Sequence, residues 1–183
     1  MQFLIRDFIY LKEDNWSLKY LLEEIRNTLL VGSLLIFIIT SLNIERLKKI
    51  YIKKSKDLGT SLKFHDTNTK EKVLIKTQVL SDDFILDVDD FLYAKSDKNY
   101  VELFMKDDAV LLKRMTIKSF EEQILSYSNI CRVHRSYIIN LKTIKKIEGN
   151  SQGFQLWIND IDFIPVSRNM ISSFERAFKA IKN

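Results

Sequence analysis

Eighteen consecutive residues, Asn27 to Ile44, carry no charged side chain and separate Arg26 from Glu45. They read Asn-Thr-Leu-Leu-Val-Gly-Ser-Leu-Leu-Ile-Phe-Ile-Ile-Thr-Ser-Leu-Asn-Ile. Wound as a helix, this stretch is apolar on every face, and such a helix needs either protein or lipid all around it. At 1.5 Å per residue it reaches roughly 27 Å, just short of a ~30 Å hydrocarbon core. A buried helix of a soluble domain is the alternative. No other segment of the chain is suited to enclosing a helix on all sides, which favours the membrane.

The flanks give an orientation. Arg46, Lys48, Lys49, Lys53, Lys54 and Lys56 follow the stretch directly. On its N-terminal side Arg6, Lys12, Lys19 and Arg26 are mixed with Asp7, Glu13, Asp14, Glu23 and Glu24. Basic residues stay on the cytoplasmic side of a span, so the C-terminal side is expected there. A cleavable signal peptide fits poorly, because the apolar run starts late, acids precede it and no small-x-small site follows. Phe3, Leu4, Ile5, Phe8, Ile9, Tyr10 and Leu11 form a shorter run, broken by Arg6 and Asp7, that suits an interfacial segment. Asn15 or Ser17 is placed to cap a helix starting near Leu18. The chain thus divides into an amphipathic juxtamembrane segment (1–26), a transmembrane helix (27–45), a basic juxtamembrane region and linker (46–72) and a C-terminal domain (73–183). Ser55 to Lys72 reads as linker because Gly59, Thr60, Asp66, Thr67, Asn68 and Thr69 crowd into it. His65 lies there with no neighbour to complete a metal site.

Past Lys72 the apolar period changes from 3.6 to 2. Strands are expected at 73–75, 84–86, 91–94, 100–105 and 110–114, with turns at Asp82-Asp83, Asp97-Lys98-Asn99 and Asp107-Asp108. Thr116 then caps an amphipathic helix over Ile117–Leu125. Further strands are expected at 130–133, 143–147, 154–158 and 161–164, and a last helix from Asn169 to Ile181. The segment after Val133 reads as a loop, with Tyr137, Ile138, Ile139 and Leu141 as core anchors beneath it. Twelve Phe and an apolar fraction of 46% suffice for a packed core. The single Cys131 has no intrachain partner and reads as a buried, inert thiol.

Charge is uneven along this domain. Asp82, Asp83, Asp87, Asp89, Asp90, Asp107 and Asp108 make its first half acidic. Arg132, Arg135, Lys142, Lys145, Lys146, Arg168, Arg176, Lys179 and Lys182 make the second half basic. Two short clusters lie in that basic half: Arg132-Val133-His134-Arg135-Ser136-Tyr137-Ile138-Ile139-Asn140, and Ile164-Pro165-Val166-Ser167-Arg168-Asn169. A guanidinium is a rigid planar fork that pairs with guanine O6 and N7 or with phosphate. Asn99 offers a donor and an acceptor, as an adenine edge requires, and Ser136 and Ser167 suit phosphate contacts. Taken without any resemblance, Arg135 and Arg168 are better read as surface residues paired with Asp160, Asp162 or Glu148.

These clusters, in order, resemble the LytTR family of DNA-binding output domains in bacterial response regulators. The resemblance covers about residues 73–180. It includes Phe91-Leu92-Tyr93-Ala94-Lys95-Ser96 followed by Asn99-Tyr100-Val101, then Leu112 to Lys118, and the Gly149 to Phe154 turn seen in membrane-anchored members. Departures are mild: Ile139 where valine is common, and Met115 and Ile117 where other small or leucine residues sit. The resemblance implies an elongated, mainly β domain with one or two short helices that inserts loops into successive major grooves. It implies DNA contact by Tyr100 with Lys98 and Asn99, by Arg135 with Ser136, and by Ser167, Arg168 and Asn169. Arg132, His134 and Asn140 are expected to support the loops rather than to touch DNA. It further implies a homodimer on paired DNA repeats.

Catalysis finds no support. There is no Gly-rich phosphate loop, no nucleophile turn and no metal-ligand spacing, so neither cofactor nor metal is expected. No doubly wound α/β receiver precedes the DNA-binding part, so a signal would arrive through the membrane segment, a membrane signalling partner or assembly. The expectation is a transcription regulator in the inner membrane with its C-terminal domain in the cytoplasm, binding double-stranded DNA. The competing reading is a membrane-anchored adaptor whose β domain, acidic in its first half, holds a protein partner instead.

Overall fold

The computed structural model describes residues 18–59, 71–158 and 163–181. The candidate caps Asn15 and Ser17, the 3–11 run, His65, Asp160, Ile161 and Asp162 lie outside them. The chain divides into two compact units, Met1–Arg46 and Leu47–Asn183.

Helix α1 (Leu18–Gly59) carries the uncharged stretch. Leu29, Leu30, Leu34, Leu35, Ile36, Phe37, Ile39 and Leu42 are all exposed on it. Its bounds correct the expected linker. The helix does not stop at the basic cluster but runs on to Gly59, and within the second unit Ser55 and Leu58 are buried. The residues from Ser55 look polar in sequence, yet Ser55 and Leu58, at i and i+3, are buried, and Leu58 joins the domain core.

The domain is mainly β, with ten strands in three antiparallel sheets among the described residues. β1 (Lys72–Ile75) and β2 (Phe84–Asp87) form a hairpin-like pair. The central sheet has order β5-β4-β3-β7-β6, from β3 (Phe91–Asp97), β4 (Tyr100–Met105), β5 (Val110–Lys113), β6 (Ile130–His134) and β7 (Tyr137–Asn140). The third sheet joins β8 (Lys146–Asn150), β9 (Gly153–Trp157) and β10 (Phe163–Pro165) in the order β10-β9-β8. Helix α2 (Ile117–Ile124) is capped by Thr116, whose hydroxyl accepts from Ser119 N at 3.1 Å. Helix α3 (Ile171–Ala180) closes the domain.

Two differences from the sequence-based expectation matter. Tyr137–Asn140, expected as core anchors and a turn-stabilising asparagine beneath a loop, is a strand of the central sheet, paired to β3 on one side and β6 on the other. Its Ile138 enters a core with Phe91, Val101, Leu103, Phe120 and Ile124, while its Ile139 enters a second core with Phe154, Phe174, Phe178 and Leu58. A strand buried on both faces has no apolar–polar alternation to betray it. The strand expected from Thr143 starts at Lys146 instead, because Leu141–Thr143 forms a 3-10 turn. Asn140 explains that turn: its Oδ1 accepts from Lys142 N at 3.1 Å, so the side chain supplies what the ladder would have.

Candidate nucleic-acid interface

Three tips come together at one end of the central sheet, and the ladder fixes how. In the β3–β4 hairpin Asp97 pairs with Tyr100, leaving Lys98-Asn99 as a two-residue tip, with Lys98 at φ 53°. In the β6–β7 hairpin His134 pairs with Tyr137, leaving Arg135-Ser136 as the second tip. β3 and β7 are antiparallel neighbours with Lys95 opposite Tyr137, and Ser96 N donates to the Ser136 carbonyl at 2.9 Å. The two tips therefore project from the same edge.

The third element joins through a bulge. Between Arg132 and His134 the register shifts by one, so Val133 is the extra residue of β6. Val133 is buried, and its carbonyl accepts from Ser167 N at 2.8 Å. That bond brings the Pro165-Val166-Ser167-Arg168 step to the end of β6, one residue before the second tip. Val166 N also donates to the Phe154 carbonyl at 2.9 Å, fixing the step to β9. The Asn150–Gly153 turn arrives at the same place. Asn150 Oδ1 accepts from Gln152 N and Gly153 N at 2.8 and 3.1 Å, and Gly153 takes φ 138°, which favours glycine. A cleft of about 560 Å³ lies between, lined among others by His134, Asn150, Gln152, Phe163, Ser167 and Arg168.

The side chains fall into two groups. Lys98, Asn99, Tyr100, Arg135, Arg168 and Asn169 are exposed, Tyr100 at 40%. Ser136 and Ser167 are half-buried, their main chains held by the bonds just described. Among the described residues neither Arg135 nor Arg168 has an acidic partner, and Glu148, one of their expected mates, pairs with Lys146 at 2.6 Å and accepts from Trp157 Nε1 at 3.1 Å. Those interactions hold the Glu148 carboxyl below its usual range, the Lys146 hydrogen bond foremost.

The expected supports are tied inward. Asn140 is 2% exposed. Its Nδ2 donates to the Val88 and Phe91 carbonyls at 3.3 and 3.0 Å, and its Oδ1 also accepts from Asn129 Nδ2 at 3.2 Å. His134 Nδ1 accepts from Ser136 N at 3.2 Å, closing the tip on itself. Burial, then Arg135 and Arg132, push the His134 pKa below the ordinary imidazole value. Arg132 donates to the main chain of the tip and to Glu121 on α2, a residue no sequence signal marked. Burial and Glu121 push the Cys131 thiol up to about 11, so it stays protonated and inert.

A mainly β domain that gathers hairpin tips and exposed guanidinium groups at one end is suited to an anionic partner such as a nucleic acid. Residues 82–179, more than half of the chain, match the LytTr DNA-binding domain model, and the chain belongs to the LytTR family. A solved LytTr DNA-binding domain from Bacillus cereus is similar over 61% of this chain and 98% of its own, at 21% identity and a TM-score of 0.45. No curated protein matches the sequence. The chain carries a DNA-binding domain of a regulator family rather than of an enzyme family.

Proposed function

We propose that the protein is a membrane-tethered transcription regulator that grips DNA with the tips 98–100 and 135–136 and the step 167–169. The observation that carries this reading is the pair of main-chain bonds, Ser96 to Ser136 and Ser167 to Val133, which set the three elements side by side. From β4 through β3 and β7 to β6, and on to the Ser167 step, is four strand spacings, or roughly 19 Å. A major groove is ~12 Å wide, so such a row crosses a phosphate backbone rather than filling one groove. Arg135 and Arg168 lie toward one end of the row and Tyr100 at the other. As the family resemblance implies, two copies take a paired site.

The tether reading is supported by α1, long and apolar enough to cross a bilayer, with its apolar side chains exposed. The basic residues Arg46 to Lys56 that follow suit a cytoplasmic, anionic lipid surface.

The test uses the full chain in lipid nanodiscs, a duplex selected by it from a random pool and an unrelated duplex of equal length. Arg135→Ala and Arg168→Ala each cost ~1–3 kcal/mol on the selected duplex and relax the site preference. Wild-type binding of both duplexes by both variants would defeat the assignment. Carbonate extraction checks the tether separately: the chain stays with the membrane pellet, and release would remove the tether alone.

A further inference from the structure

Arg132 engages three oxygens at once. Nη1 donates to Glu121 Oε2 at 2.6 Å, Nη2 to the Arg135 carbonyl at 2.8 Å and Nε to the His134 carbonyl at 3.3 Å. The guanidinium is rigid and planar, so a carboxylate that fixes one edge also fixes where the other N–H groups point. Glu121 is itself firmly based. It sits in α2, whose N-terminus is capped by Thr116 and whose neighbours Phe120 and Ile124 are fully buried. The two side chains are 22% and 30% exposed, shielded enough for the pair to hold a geometry.

We infer that Glu121 is a positioning residue for DNA recognition: it orients Arg132, which holds the carbonyls of His134 and Arg135 and so sets the direction of the Arg135 side chain. This rests on the reading of Arg135 as a DNA contact. The arrangement has an unusual consequence. An acid beside a DNA-binding face repels phosphate, so on charge alone its removal strengthens binding to any duplex. As a positioning residue, its removal weakens binding to the selected duplex only.

The full chain in nanodiscs is titrated with the selected and the unrelated duplex as Glu121→Gln, Arg132→Lys, the double variant and Arg135→Ala. Glu121→Gln is expected to lose roughly tenfold on the selected duplex, the scale of one charge-assisted hydrogen bond. On the unrelated duplex it holds or gains, so the selectivity ratio falls. Arg132→Lys keeps the charge but not the fork and loses similarly, and the double variant loses no more than either single one, since both break one link. A general loss of folding would instead lower binding to both duplexes together with the melting temperature. That outcome for Glu121→Gln, with Arg132→Lys behaving as wild type, overturns the inference. So does equal strengthening on both duplexes, or an unchanged selectivity ratio while Arg135→Ala loses its own. If Arg135→Ala changes nothing, the DNA-face reading fails first and the inference falls with it.

Discussion

Replacing Gly149 by alanine should unseat the end of α1 from the domain. Gly149 lies on β8 opposite Phe154. A Cβ there would overlap the Tyr51 carbonyl and stand 2.6 Å from Ile52 N. Both belong to the helix main chain, so no side-chain rotation relieves the clash, and either the sheet or the helix must move. The sheet is backed by the core. Among the contacts that hold Leu47–Gly59 are Leu58 at 7% exposure, the edge-on Tyr51–Phe154 pair with centroids 5.5 Å apart, and the Lys54–Glu175 bridge at 2.8 Å. Burying a leucine contributes about 1.5–3 kcal/mol. The aromatic pair adds about 0.5–1.5 kcal/mol and a surface-exposed ion pair under about 1 kcal/mol. These contacts together contribute about 2–5 kcal/mol, so strain of that size is enough to loosen the helix end. Since 1.4 kcal/mol is tenfold, the docking equilibrium shifts by roughly thirtyfold to several thousandfold. Hydrogen exchange reads it directly, because an undocked helix end frays in water. Amides over 50–58 should lose protection in Gly149→Ala, while the core strands β3 and β7 keep theirs. Gly32→Ala is the control, having nothing within 4 Å of its added Cβ. Unchanged protection over 50–58 in Gly149→Ala would refute the close approach and the seat built on it.

Three further outcomes are expected. Asn140→Ala removes four hydrogen bonds from a buried side chain and should cost about 3–5 kcal/mol in denaturant unfolding; a loss under about 1 kcal/mol would mean the network is not formed. Lys98→Gly relieves a left-handed non-glycine residue and should stabilise by about 1 kcal/mol. It should also weaken DNA binding and lower the salt slope by about one, whereas an unchanged slope would take Lys98 off the phosphate contacts. An NMR titration of His134 should give a midpoint below the ordinary imidazole value, from burial and the neighbouring Arg135 and Arg132. With the folded pKa depressed, the unfolded chain takes the proton first as pH falls. Stability is full above the ordinary value and declines toward the folded pKa, and His134→Gln should flatten that slope.

How far the sequence could be read depends on what each element exposes. The strands at 84–87, 100–105 and 110–113 and the helices α2 and α3 show one apolar face each, so period and capping revealed them. β7 shows apolar residues to two cores and looked like a loop with anchors. The helix end at Ser55–Gly59 looked like linker because only Leu58 among its residues is strongly apolar. Arg135, Arg168, Tyr100 and their neighbours were expected as DNA contacts from the family's ordered motifs, and Arg135, Arg168 and Tyr100 are exposed. Glu121 was not legible, since an acid on an amphipathic helix looks the same whether it faces water or an arginine eleven positions away.

The sequence by itself determined the uncharged helix, the change of period after Lys72 and the identities of the groups able to meet phosphate and base edges. Each of these is a local property, written in residue type and spacing. Only the tertiary structure decided that the tips from β3–β4 and β6–β7 and the Ser167 step share an edge, through the antiparallel pairing of β3 with β7 and the bulge at Val133. It also decided that Glu121 reaches the tip through Arg132 and that the end of α1 packs Leu58 and Tyr51 against the domain core. Such contacts join residues far apart in the chain, and their geometry follows from register and packing rather than from composition.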